Sequence, residues 1–137
     1  MFKLILLFFF FVSCNALAVL DKFVGCFSSD SKKVNVKFVG VYDDSIPLSY
    51  VKYKNSQQFI PLLFSKKVEE DVGDGRPAEM TTTWLEVVDG KLSGQYTILS
   101  QGARFYSFSY KGKSGKIITM NENIDAYNDD RTDCIWK

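Results

Sequence analysis

Residues 80–99 read MTTTWLEVVDGKLSGQYTIL, and this stretch decides the fold class. Residues 80–88 are rich in Thr, Trp and Val, which suit a pleated, half-buried surface. Residues 92–99 alternate Leu92, Gly94, Tyr96 and Ile98 against Ser93, Gln95 and Thr97. Asp89-Gly90 stands between the two runs. A two-residue turn of that kind needs positive φ at both central positions, so the segment specifies a tight hairpin. Trp84 is expected in the core.

Further strands extend on both sides. From residue 33 to 42, Val34, Val36 and Phe38 share one face, and Val39 and Val41 share the other. That change of face predicts that the strand bends or changes environment near Gly40. Asp43-Asp44-Ser45 is a turn cluster, and a strand resumes over 48–54. The apolar run 59–64 contains Pro61, which cannot donate to a ladder, so this strand should lie at an edge or carry a bulge. Residues 69–79, EEDVGDGRPAE, cannot build a core and read as a surface loop. Downstream, Gln101-Gly102 turns, 104–111 is a strand, Gly112-Lys113-Ser114-Gly115 turns again and 116–120 is a short strand. The polar tail 121–133 holds one helical turn at most before Cys134 and Trp136 tie it back. Seven to eight short strands with turns at close intervals predict an all-β chain, an antiparallel barrel or sandwich.

The start of the chain has a different character. Residues 1–18, MFKLILLFFFFVSCNALA, carry one Lys and then the nine apolar residues 4–12. Ala16-Leu17-Ala18 matches a small-x-small cleavage site. The reading is a signal peptide over 1–18 and a single β domain over 19–137, periplasmic or secreted. The apolar run is shorter than the about 20 residues of a membrane-spanning helix, so no stable membrane insertion is expected after cleavage. A retained anchor and lipidation of Cys14 are the alternatives, although Phe11-Val12-Ser13 fits the lipidation pattern poorly. Cleavage removes Cys14 and leaves Cys26 and Cys134, which an exported domain is expected to join in one disulfide.

Composition excludes several functions. Removing residues 1–18 leaves acids and bases equal in number, against the excess of positive charge that nucleic-acid binding needs. There is no His, which removes Ser-His-Asp and Cys-His catalysis and most zinc sites. The acids at 69–79 and 125–133 lack the spacing of a calcium loop, and no cofactor or metal is expected. Lys111-Gly112-Lys113-Ser114-Gly115-Lys116 lacks the upstream Gly and the following helix of a phosphate loop and reads as a polar turn.

The candidate partner-binding residues lie between the two best-marked late strands. They are Gln101, Gly102, Arg104 and Tyr106, followed by Tyr110 and Lys111. A guanidinium beside aromatics is the composition of an interface anchor. Strict alternation places Arg104, Tyr106, Phe108 and Tyr110 on one face and Lys111 on the other. Both charges then reach one partner only from opposite turns on the same rim, or through a strong twist.

Ser100-Gln101-Gly102-Ala103-Arg104-Phe105-Tyr106, followed by Tyr110-Lys111-Gly112, resembles the two inhibitory loops of the periplasmic C-type lysozyme inhibitors, small exported bacterial β-barrels. An early and a near-terminal Cys also fit that family, whereas Gln101 stands where it has Ser. The resemblance implies that the loop at Gly102 and Lys111 enter a lysozyme cleft. The expectation is an exported, non-enzymatic binding protein that inhibits or neutralises a lysozyme, another cell-wall hydrolase or a toxic enzyme, as an inhibitor or immunity protein does. The alternatives are an envelope structural protein or a small-ligand-binding barrel and, further off, a carboxylate-based hydrolase.

Overall fold

The computed structural model describes residues 21–42 and 48–136. The signal peptide reading, Cys14 and the turn cluster Asp43-Asp44-Ser45 fall outside the described residues. Eight strands follow one another: β1 (Asp21–Ser28), β2 (Asn35–Tyr42), β3 (Leu48–Tyr53), β4 (Ile60–Glu70), β5 (Glu79–Val88), β6 (Lys91–Gln101), β7 (Arg104–Gly112) and β8 (Ile117–Glu122). Each pairs antiparallel with its neighbour in sequence, and β8 returns to β1 through Phe27↔Glu122 and Ser28↔Asn121. The chain is therefore a closed up-and-down barrel and not a sandwich.

The β5–β6 hairpin forms as its turn chemistry requires. Asp89 and Gly90 have φ of 51° and 70°. The register carries Trp84↔Tyr96 and Thr82↔Ile98 onto the inner face. Leu92 departs from the simple alternation. The register shifts between Glu86 and Val87, Ser93 becomes an extra residue, and Leu92 turns outward, 54% exposed. A bulge of this kind reverses the parity of every residue beyond it.

Aromatic side chains fill the barrel. Phe27 and Phe108 stack with centroids 4.4 Å apart, and Phe38 meets the Trp84 ring edge-on at 5.8 Å. Val36, Val51, Leu62, Tyr96, Ile98 and Met120 complete this buried cluster. Of the two expectations at Gly40, the change of environment holds: β2 keeps its register with β1 and β3 through Gly40, and a Cβ there would lie 1.9 Å from the Phe23 ring. The missing side chain makes room for an aromatic ring on the neighbouring strand.

β2 is apolar on both faces for a tertiary reason. Its outer residue Val39, with Val24 and Cys26 of β1, is covered by Ala126, Tyr127, Cys134 and Trp136. These belong to a C-terminal strap that leaves β8, makes a 3-10 turn at Ile124–Ala126 and returns through the Tyr127↔Cys134 bridge. The Cys26–Cys134 disulfide fastens it across 108 positions. Asn123 N–H donates to Cys26 C=O at 2.8 Å, and Lys37 Nζ meets Asp133 Oδ1 at 2.7 Å.

The Lys37 hydrogen bond chiefly holds the Asp133 carboxyl below its ordinary range, helped by the Cys134 N–H and opposed by partial burial. A carboxyl depressed in the folded state contributes stability above its unfolded value, and that contribution fades as pH falls through the folded value. Between about pH 5 and pH 3, the melting temperature of the wild type should fall further than that of Asp133→Asn. Parallel pH curves would remove the pair from the account of stability.

Two loop readings change. Glu69 and Glu70 belong to β4 and Glu79 to β5, so the loop is confined to residues 71–78. Pro61 lies inside a closed barrel, yet β4 pairs with β5 only from Leu62 onward. Among the described residues, the strand at Pro61 has a neighbour on the β3 side alone, so its missing donor is tolerated. The bulge falls further on, between Phe64 and Lys66.

Candidate functional site

β7 carries most of the candidate residues, and a second bulge redistributes them. The β6–β7 register shifts between Leu99 and Ser100, which leaves Tyr106 as the extra residue. Phe105 pairs with Ser100 and faces inward with Phe108 and Tyr110, while Arg104 pairs with Gln101 on the outer face. Tyr106 is exposed, and its hydroxyl donates to Gln101 Oε1 at 3.1 Å. Gln101 Nε2 in turn donates to Pro77 C=O at 2.9 Å. The Arg104 guanidinium lies 6.0 Å from the Tyr106 ring centre. Gly102, φ 56°, takes the first central position of the two-residue turn, a place suited to glycine. Gln101, Gly102, Arg104 and Tyr106 thus form one outward corner.

Tyr110 and Lys111 are not part of that corner. They sit at the other end of β7, about 20 Å away at the rise of an extended strand. Lys111 is exposed opposite Gln95, whereas Tyr110 points inward. Strict alternation fails here because the bulge at Tyr106 resets it.

The corner borders the mouth of the barrel. A cleft of about 550 Å³ opens there. Its apolar lining includes Phe23, Met80, Ile98 and Phe105, with Thr82 and Ser100 adding hydroxyls. Phe23 and Phe105 stack at 6.0 Å. Three cations line the same opening: Lys22 from β1, Arg104 from β7 and Arg131 from the strap. Among the described residues, none of the three is in an ion pair. Arg131 is held 4.9 Å from the Tyr127 ring. Lys22, Phe23 and Arg131 were not legible as site residues, because only barrel closure and the disulfide bring positions 22 and 131 beside 104.

A second polar group lies at the opposite end, inside the barrel. Glu86 is 6% exposed and accepts from Ser93 Oγ at 2.5 Å, Tyr96 Oη at 2.9 Å and Tyr110 Oη at 3.3 Å. Tyr53 and Tyr96 share a hydrogen bond at 2.7 Å. Burial raises the Tyr96 hydroxyl far above its ordinary range, and the Tyr53 and Glu86 oxygens push the same way. Burial also raises Tyr53 and Tyr110, with Glu86 adding to each. The hydroxyls therefore stay protonated and donate, which satisfies the buried carboxylate without a cation. Glu86 stands two residues after Trp84, on the same face of the strand, and that spacing was the one sequence signal for it.

Among the described residues, no group of three or more Cys, Asp or Glu side chains is placed to hold a metal ion. Nor is any helix there long and apolar enough to cross a membrane. Comparison with protein-family models, curated proteins and solved structures found no match.

Proposed function

We propose that this chain is an exported binding protein whose site is the mouth beside Phe23 and Phe105. Its ligand is a small molecule with an apolar body and an anionic head. The observation that carries this reading is an apolar, aromatic floor beneath three cations without an ion-pair partner among the described residues. Pockets of about 300–1,000 Å³ are the usual size for small-molecule sites, and barrel mouths are a common place for them. The floor removes apolar surface from water, and the guanidinium groups supply charge-assisted hydrogen bonds to a carboxylate, sulfonate or phosphate.

A fluorescent fatty-acid analogue tests it by titration. Arg104→Ala and Arg131→Ala should each weaken binding by about 1.5–3 kcal/mol, at least about tenfold. The matching alcohol, without the anionic head, should bind weakly and ignore both substitutions. Equal affinity of acid and alcohol, or of wild type and both variants, would rule the reading out.

A second reading keeps the expectation of an enzyme inhibitor, and the exposed Gln101–Arg104–Tyr106 corner favours it. An arginine beside a tyrosine on a turn suits the cleft of a cell-wall hydrolase. Lys111, at the far end of β7, does not belong to that contact. Lysozyme inhibition that Tyr106→Ala abolishes while leaving fatty-acid binding intact would favour this reading over the first.

A further inference from the structure

The turns of an up-and-down barrel alternate between its two ends. The β6–β7 turn borders the mouth, so the turns β1–β2, β3–β4, β5–β6 and β7–β8 share the other end. That end is rich in lysine. Lys91 follows the Asp89-Gly90 turn, and Lys111, Lys113 and Lys116 surround the β7–β8 turn. All four are exposed, and among the described residues none of them is in an ion pair. β6 and β7 are neighbours, so the β5–β6 and β7–β8 hairpins stand side by side. Their tips, residues 88–92 and 111–117, contain one acid, Asp89. Lys33 and Lys54 add two exposed cations, which line a hollow of about 230 Å³ at the same end with Tyr110 and Ile118. Asp30, Glu122 and Asp125 line a separate hollow, where the strap leaves β8.

Apolar side chains stand among these lysines. Val88, Leu92 and Ile117 are all exposed. Leu92 points outward because of the β5–β6 bulge, and Ile117 opens β8 opposite Lys111. A soluble polyanion would engage the charges and leave the three aliphatic groups in water. A lipid surface takes both. Phosphate headgroups meet the ammonium groups, and the aliphatic tips leave water at the boundary between headgroups and chains. The long lysine stems suit that depth, since each charged head can reach back to the phosphates.

We infer that this end of the barrel, centred on the β5–β6 and β7–β8 hairpins, docks on a membrane surface of anionic phospholipid. The contact is peripheral, because only side chains at the hairpin tips enter the boundary. The mouth then faces away from the membrane. The inference does not rest on the ligand reading, whose residues lie at the opposite end.

Cosedimentation of the exported, disulfide-bonded protein with vesicles tests it. Vesicles of equal parts phosphatidylglycerol and phosphatidylcholine should bind the protein, and added salt should weaken the binding. Phosphatidylcholine alone should bind it far more weakly. Each lysine near an anionic surface strengthens binding about fivefold, so K91Q/K113Q/K116Q should bind about a hundredfold more weakly. L92S/I117S keeps every charge and should bind at least about tenfold more weakly. K66Q/K67Q removes two cations from the half of β4 nearer the mouth and should bind as the wild type does. Circular dichroism shows that each variant is folded. No binding to the anionic vesicles, equal binding to both kinds of vesicle, or an equal loss in K66Q/K67Q and K91Q/K113Q/K116Q would overturn the inference. Undiminished vesicle binding by L92S/I117S would overturn it too, and would make this end a site for a soluble polyanion such as polyphosphate.

Discussion

Replacing Cys26 and Cys134 together with alanine should lower the stability of this protein by about 4–5 kcal/mol. The disulfide closes a loop spanning 108 positions, and a cross-link of that span removes much of the freedom of the unfolded chain. The folded state also depends on the bridge. Cys26 is fully buried under the strap, and Cys134 anchors the strap's return. The other ties include the Lys37–Asp133 pair, the Asn123 bonds to Cys26 C=O and Ser28 Oγ, the Tyr127 hydroxyl that accepts from Cys26 N–H at 3.2 Å, and the Ala126 and Trp136 contacts. Urea unfolding of the oxidised wild type and the double variant gives the difference from the two midpoints. A loss under about 2 kcal/mol would mean that closing the loop is not what the bridge contributes. Replacing both cysteines avoids a lone thiol, whose oxidation would confuse the comparison.

Phe108→Ala should cost about 3–5 kcal/mol, the range for emptying an aromatic site in a packed core. Phe108 is fully buried at the centre of the barrel. Besides stacking on Phe27, it lies 6.0 Å from Phe38 and 5.4 Å from Tyr96 by ring centres. Its strand pairs on both sides, with Ile98 and with Met120, so the backbone has little freedom to collapse into the void. Ile117→Ala is the matched control in the same experiment. Ile117 is 60% exposed, and its truncation should cost under about 0.5 kcal/mol. If the two substitutions cost the same, the aromatic stack does not hold the barrel together.

The sequence by itself determined the elements. Asp89-Gly90 between two alternating runs names its own hairpin, since few residue pairs accept positive φ at both turn positions. The remaining strands follow from period-2 patterning and turn residues, both of which are local. The cysteine pairing was also legible, because the expected signal peptide takes Cys14 with it and leaves two candidates. Facing was legible only as far as the next bulge. Alternation grouped Leu92 with Tyr96 and Ile98, and Tyr106 with Phe108 and Tyr110, but Leu92 and Tyr106 lie on the opposite side from those residues because one extra residue reverses parity. Whether a bulge forms depends on what the adjoining strand must accommodate.

Only the tertiary structure decided that the strands close into a barrel. It also decided that β2 is buried on both faces, that Arg104 and Lys111 stand at opposite ends, and that Lys22, Arg104 and Arg131 meet at one mouth. The physical reason is the same in each case. Contacts between residues some hundred positions apart are set by packing of the whole chain, and no local period records them.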